Sequence, residues 1–318
     1  VRVPLENLAQ AHGQSVEKIR QIISGASDKL FAAREKRIRP GRDEKILTSW
    51  NGLMISAFAK GFAVTGDPRY LEAANKAITF IETKLSAGQG RLYRTFKDGQ
   101  AKLNAYLDDY AFYVAGLLDL FSVDSRIETL EKAITYSQFM LAHFWDSKGG
   151  NLYFTSDDHE KLIVRTKNLY DLAIPSGNSV AATNLIRLYH YTQNAQFLGK
   201  AEEIMKAGAR AAAENPFGFG QLLTAIYLYV KKPVEVTVIA SGRDSSMARW
   251  LSQHFLPDAV SAIVLQSEIG KLEKFPYFKG RGTEGEDAAF VCRNFTCSLP
   301  IKSAGELERQ LGATAQPS

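Results

Sequence analysis

The stretch LDDYAFYVAGLLDLF, Leu107 to Phe121, decides how the chain is to be read. Its apolar residues fall on nearly every side of a helix, while two carboxylates, Asp108 and Asp109, stand at the entrance. A surface helix shows one oily stripe, whereas a helix that is apolar all round must be covered on both sides. A buried helix entered through two acids therefore needs partners on each flank, and the acids need a reason.

The flanking sequence supplies the partners. RIETLEKAITYSQFMLAHF follows and is amphipathic. Before it, SWNGLMISAFAKGFAVTG (Ser49 to Gly66) is apolar all round and is followed by the amphipathic DPRYLEAANKAITFIETKL, with Asp67 as N-cap and Pro68 in the first turn. A third pair, SGNSVAATNLIRLYHYTQN and AQFLGKAEEIMKAGARAAA, comes next, and FGFGQLLTAIYLYV, from Phe217, is a fourth inner helix. Entrances near Trp50, Asp108 and Ser176 are 58 and 68 residues apart, so the repeat is a helical hairpin. Alternation of buried and striped helices predicts a mainly α fold of two concentric layers, an α/α toroid or part of one. The long connections GQGRLYRTFKDGQAKLNAY and SKGGNLYFTSDDHEKLIVRTKNLYDLAIP argue against a simple solenoid and read as β-turns or hairpins laid over one end. After residue 231 the pattern changes to strand, turn, helix, strand, then DAAFVC as a strand and SAGELERQLG as a closing helix. The expected division is 1–231 for the toroid and 232–318 for a small α/β region. Its ASGRDSS turn opens a helix after a strand but matches no dinucleotide or Walker pattern.

Composition narrows the function. The chain has 318 residues, 45% hydrophobic and 23% charged, and no apolar run near the ~18–20 residues of a membrane span. A net charge of +5 is too mild to argue for nucleic acid, and the basic run Arg34 to Lys45 carries acids without interleaved aromatics, as a solvated helix end does. Cys292 and Cys297 cannot make a disulfide scaffold at this length, which fits a reducing cytoplasm, and ordinary packing or weak redox chemistry is expected of them. The histidines at 12, 143, 159, 190 and 254 show no ligand spacing, so neither metal nor cofactor is expected.

Hairpin geometry brings the inner-helix entrances to one mouth. Ser49, Trp50 and Asn51 meet Asp108, Asp109 and Tyr110, then Ser176, Gly177 and Asn178, with Asp43 and Lys45 ahead of the first and Asp171 ahead of the third. A single acid per helix is explained as a cap. Aromatics, amides and several carboxylates on one mouth suit a sugar, with Trp50, Asn51, Tyr110, Ser176, Asn178, Arg94 and Lys45 as binding residues. Acid/base work would fall to Asp108, Asp109, Asp43 and Asp171. Neighbouring acids diverge by about 100° on a helix, so one of Asp108 and Asp109 faces the cavity and its partner is Asp43 or Asp171.

RPGRDEKILTSWNGLMI, LDDYAF, DLAIPSGNSVAATNLIRL and AFVCRNFTCSLP closely resemble the spermatogenesis-associated protein 20-like family, from about Arg20 to Leu307. The resemblance implies an (α/α)6 toroid behind a thioredoxin-like domain, related to six-hairpin glycosidases and N-acylglucosamine 2-epimerases, and no settled reaction; about four inner helices are legible where six would close the ring, so the toroid is expected to be incomplete in this chain. No C-x-x-C is present here, so that module and the missing hairpins are expected upstream or on another polypeptide. Three functions follow: a carbohydrate-active enzyme, a non-catalytic binding or scaffold module partnering a thioredoxin-like domain, and, below hydrolysis, a sugar 2-epimerase, because no histidine is expected at an entrance.

Overall fold

The computed structural model describes residues 3–160, 163–283 and 285–312. The chain divides into two compact units, Val1–Glu44 and Lys45–Ser318. The first holds α1 (Leu5–Ala11) and α2 (Val16–Glu35), whose N-cap Ser15 accepts the Lys18 N–H at 3.1 Å. Beyond α2 the basic run is exposed and internally paired, Arg39 with Glu35 and Arg42 with Glu44, as a solvated helix end should be.

The second unit runs β1 (Ile46–Leu47), α3 (Thr48–Thr65), α4 (Pro68–Phe80), a π-helical turn (Ile81–Leu85), β2 (Ser86–Gly88), β3 (Arg91–Lys97), β4 (Gln100–Asn104), α5 (Leu107–Asp124), α6 (Ile127–Phe144), β5 (Trp145–Asp146), β6 (Asn151–Leu152), α7 (Gly177–Thr192), α8 (Ala195–Glu214), α9 (Gly220–Lys231), β7 (Val234–Ala240), α10 (Ser246–Gln253), β8 (Ala259–Leu265), α11 (Ile269–Leu272), β9 (Ala288–Arg293), β10 (Thr296–Cys297) and α12 (Ala304–Leu311).

The inner helices α3, α5, α7 and α9 are neighbours in that order and run parallel. Gly52 of α3 lies against Phe112 of α5, and Ile55 against Gly116, so residue numbers rise together. Between α5 and α7, Asn184 Nδ2 donates to Ala111 O at 2.8 Å and Arg187 Nη1 to Asp119 Oδ1 at 2.7 Å. Gln221 of α9 reaches Thr183 of α7 at 3.0 Å. All four entrances therefore lie at one end, with α4, α6 and α8 returning outside as striped helices. This is the (α/α) toroid architecture, with four inner helices among the described residues. Two glycines set the tightest crossing. A Cβ at Gly52 would stand 2.5 Å from the Phe112 backbone, and one at Gly116 2.7 Å from Gly52 O, so α3 and α5 approach to a distance no side chain permits. α5 is buried almost throughout, as its sequence requires, and its aromatic and leucine side chains each contribute roughly 1.5–3 kcal/mol. α3 is covered on one side only and leaves Trp50 (62%) and Met54 (47%) exposed.

The first long connection is a hairpin, with β3 and β4 joined at Asp98 and Gly99, both at positive φ as a two-residue turn of this kind demands. In the second, β5 pairs β6, and Phe154 N donates to Thr166 O at 2.8 Å; Lys161 and Leu162 of that expected hairpin lie outside the described residues.

The C-terminal sheet has order β10-β9-β7-β8, with β7 and β8 parallel around α10, matching the expected strand, helix, strand. The change of pattern at 231/232 is not a break between compact units. The sheet packs on the far ends of the inner helices, where Tyr191 OH donates to Ser261 O at 2.8 Å and Ser125 Oγ to Ile263 O. The ASGRDSS turn serves the same junction, since Arg243 Nη2 donates to the terminal carbonyl of α5 at Asp124, 2.9 Å away. Cys292 and Cys297 are paired in register across β9 and β10 and form a disulfide. Of the two expectations, ordinary packing or weak redox chemistry, the bond removes the first, and spacing alone does not reveal that two cysteines five apart face each other across a tight turn. No helix among the described residues is long and apolar enough to cross a membrane.

Candidate functional site

The mouth is organised around Asp109. Fully buried, it accepts the Ser49 N–H at the start of α3 on Oδ1 (2.9 Å) and the Tyr106 N–H ahead of its own helix on Oδ2 (2.9 Å), with Arg94 Nη1 at 3.5 Å. One carboxylate thus caps two helices and sets the spacing of their entrances. Burial pushes its pKa up, against these donors.

Asp108, one residue earlier, points elsewhere, as the helical step requires. It accepts the Gly177 N–H at the start of α7, where a Cβ would stand 2.4 Å from Oδ1, so glycine is what lets the acid reach that helix. Asp108 is only half-buried. Its pKa is pushed up to about 6, first by desolvation and then by the Asp109 charge, with Arg94 and the Gly177 N–H opposing. A carboxyl group poised there exchanges a proton near neutral pH.

Around the pair stand Arg94 and a stack of rings. The Arg94 guanidinium lies 4.6 Å over the Tyr106 ring, which stacks on Phe154 (4.8 Å) and on His159 (5.2 Å). His159 Nε2 lies 3.4 Å from Asn104 O, and its Nδ1 is buried with no hydrogen-bond partner. A histidine therefore does reach an inner-helix entrance, contrary to the expectation from the sequence. Nothing in the local pattern announced it, because His159 arrives on an irregular connection that only the tertiary fold lays beside Tyr106. His143, Asp157 and Asp158 also gather, with potential ligand atoms within 4.8 Å of one another. His143 Nδ1 is 2.8 Å from Asp157, and Asp158 is paired with Arg91, so each of the three already has a partner.

The other expected residues divide. Trp50 is exposed at the α3 entrance, and Asn51 Nδ2 turns back to Leu47 O at 2.8 Å. Tyr110 is buried and its hydroxyl accepts the Leu92 N–H at 2.9 Å. Ser176 Oγ donates to Asn168 O at 2.9 Å, and buried Asn178 bonds both Leu152 N and Leu152 O. Asp171 accepts two backbone N–H groups, Ser176 and Gln221, each at 2.8 Å. These five tie the loops to the helix starts. Asp43 lies in the last residues of the first unit, which ends at Glu44, and Lys45 opens the second; both are exposed. A concavity of about 510 Å³ lies at the other end of α7, against Tyr189, His190 and Phe295. It has no part in the mouth.

A family model described as D-glucuronyl C5-epimerase C-terminus matches residues 49–117, which span α3, Arg94 and both acids of α5. Partial structural likenesses include a D-mannose isomerase (18% identity, TM-score 0.43, 54% of this chain and 42% of that one) and cellobiose 2-epimerase from Bacillus thermoamylovorans (15%, 0.44, 53% and 45%). Spermatogenesis-associated protein 20 from Homo sapiens is 32% identical over 98% of this chain and 42% of its own length, and that from Rattus norvegicus 29% over 98% and 41%. The chain thus spans about two fifths of these relatives, and over that span it belongs to the spermatogenesis-associated protein 20 family.

Proposed function

We propose that the mouth is a saccharide site at which Asp108 gives and takes a proton. The observation that carries this is the half-buried Asp108 carboxyl, held between two inner-helix starts and raised to about 6 by burial and by Asp109. The likeness of residues 49–117 to a glucuronyl epimerase segment supports a sugar as the reacting partner. Arg94 offers a cation for a uronate or hydroxyl, and Tyr106 an aromatic edge.

Hydrolysis needs a second carboxyl, ~5–5.5 Å away for retention or ~6.5–9.5 Å for inversion. Asp109 and Asp171 each have both carboxylate oxygens taken by backbone N–H groups, unlike Asp108 with its single Gly177 N–H, which argues against either in that role. Proton exchange at a carbon beside a carbonyl or carboxylate needs only two proton-carrying groups, and His159 supplies a second. The epimerase type of reaction therefore ranks ahead of the hydrolase type. The same bonds of Asp109, Asp171 and Asn178 favour one other reading, saccharide binding without turnover beside a thioredoxin-like partner.

Incubating the protein with neutral and uronate oligosaccharides in deuterated water separates these. Deuterium entering the sugar without chain cleavage, abolished in Asp108→Asn, is the expected result. New reducing ends would mean hydrolysis, and binding alone would mean a lectin-like module. No binding at millimolar saccharide would refute the site.

A further inference from the structure

The two sulfurs of the β9–β10 hairpin are unequal. Cys292 is fully buried, whereas Cys297 is exposed. Beside them lies Arg281, itself 5% exposed, with Nη2 3.1 Å from Cys292 Sγ and 3.8 Å from Cys297 Sγ. Its Nη1 donates to Thr237 Oγ1, and the guanidinium lies 4.4 Å over the Tyr277 ring. The carboxylate facing it, Glu235, is 3.5 Å away and gives its other oxygen to His190 Nδ1 at 2.9 Å. The guanidinium thus shares its one carboxylate with His190 and aims Nη2 at a neutral disulfide sulfur, a weak acceptor. A thiolate on Cys292 would accept that N–H as a charged and much stronger partner.

We propose that Cys292–Cys297 is a thiol–disulfide exchange site, with Arg281 holding the leaving sulfur and a dithiol as co-substrate. The thiolate of the dithiol attacks the exposed Cys297 Sγ. The S–S bond breaks with its electron pair on Cys292 Sγ, which departs as a thiolate against Arg281. The second thiol of the dithiol, losing its proton, attacks its own sulfur in the mixed disulfide and releases Cys297. The dithiol leaves as a disulfide, and two electrons and two protons have passed to the protein or its solvent. Attack in the opposite sense, on Cys292, is blocked by burial. A low-pKa leaving thiol departs faster, so the cation accelerates the first step.

The test uses the full chain and dithiothreitol, with reduced thiols trapped by alkylation and counted by mass. The folded protein is expected to be reduced, and Arg281→Gln to slow reduction roughly tenfold and shift the equilibrium roughly tenfold toward the disulfide, about 30 mV for two electrons. Arg281→Lys should keep most of the rate. If Arg281→Gln fails to fold, Cys297→Ser leaves Cys292 alone beside Arg281, and its thiolate absorbance should appear well below the ordinary thiol range near pH ~8.5. A disulfide that resists excess dithiothreitol until the protein unfolds would overturn the proposal. So would an unchanged rate in Arg281→Gln, or an ordinary thiol titration in Cys297→Ser.

Discussion

Replacing Asp108 by Asn should stabilise the protein above pH 6 and leave it nearly unchanged at pH 4. The carboxyl has a folded-state pKa of about 6 against an ordinary 3.8. A raised carboxylate pKa means that the native state holds the proton where the unfolded state has lost it. The linked stability is present below about pH 4 and is lost as pH rises through about 6. A displacement of about two units is worth roughly 3 kcal/mol. Asparagine keeps an oxygen for the Gly177 N–H and removes the charge that burial and Asp109 oppose. Other carboxylates titrate in the same range, so the informative quantity is the difference between variant and parent. Urea unfolding at pH 4, 5, 6 and 7 gives it directly, and the difference should climb from near zero to roughly 2–3 kcal/mol. A flat difference, or a variant weaker than the parent at pH 7, would refute the placement of Asp108. Such instability removed by disabling a residue is what a functional acid is expected to show.

Asp109→Ala should act in the opposite sense, costing roughly 3–5 kcal/mol at pH 7, because the Ser49 and Tyr106 N–H groups and Arg94 lose their buried partner; thermal melting reads it. Asp171→Asn should lower stability by about 1 kcal/mol, since one of the two carboxylate oxygens that accept backbone N–H groups is replaced by a donor, and should leave any saccharide turnover intact. Gly52→Ala forces a methyl to 2.5 Å from the Phe112 backbone, so α3 must move, and a loss of roughly 1–3 kcal/mol or more is expected in urea unfolding.

The toroid was legible because its signal is carried by whole helices. Residues such as Phe112, Leu117 and Phe121 circle α5, and only a helix covered on both sides tolerates that. The common end of the entrances followed from hairpin connectivity, and Asp98-Gly99 marked its own turn. The division of labour between Asp108 and Asp109 was foreseeable from the helical step, but which acid faced which way was not. It depends on Ser49 and Gly177, which are distant in sequence from the acids they meet. His159 and the Cys292–Cys297 bond were illegible for the same reason, as each depends on the path of a connection rather than on periodicity. Tyr110, Ser176 and Asn178 stand at the starts of α5 and α7, and sequence could not show that backbone groups of Leu92, Asn168 and Leu152 would engage their polar atoms.

The most direct test of the mouth as a saccharide site is the carbon-13 signal of the Asp108 carboxyl, assigned by its loss in Asp108→Asn and titrated from pH 3 to 8 with and without a uronate oligosaccharide. A midpoint of about 6 that moves when the sugar is added is the expected result. A midpoint near the ordinary ~4, indifferent to saccharide, would contradict it.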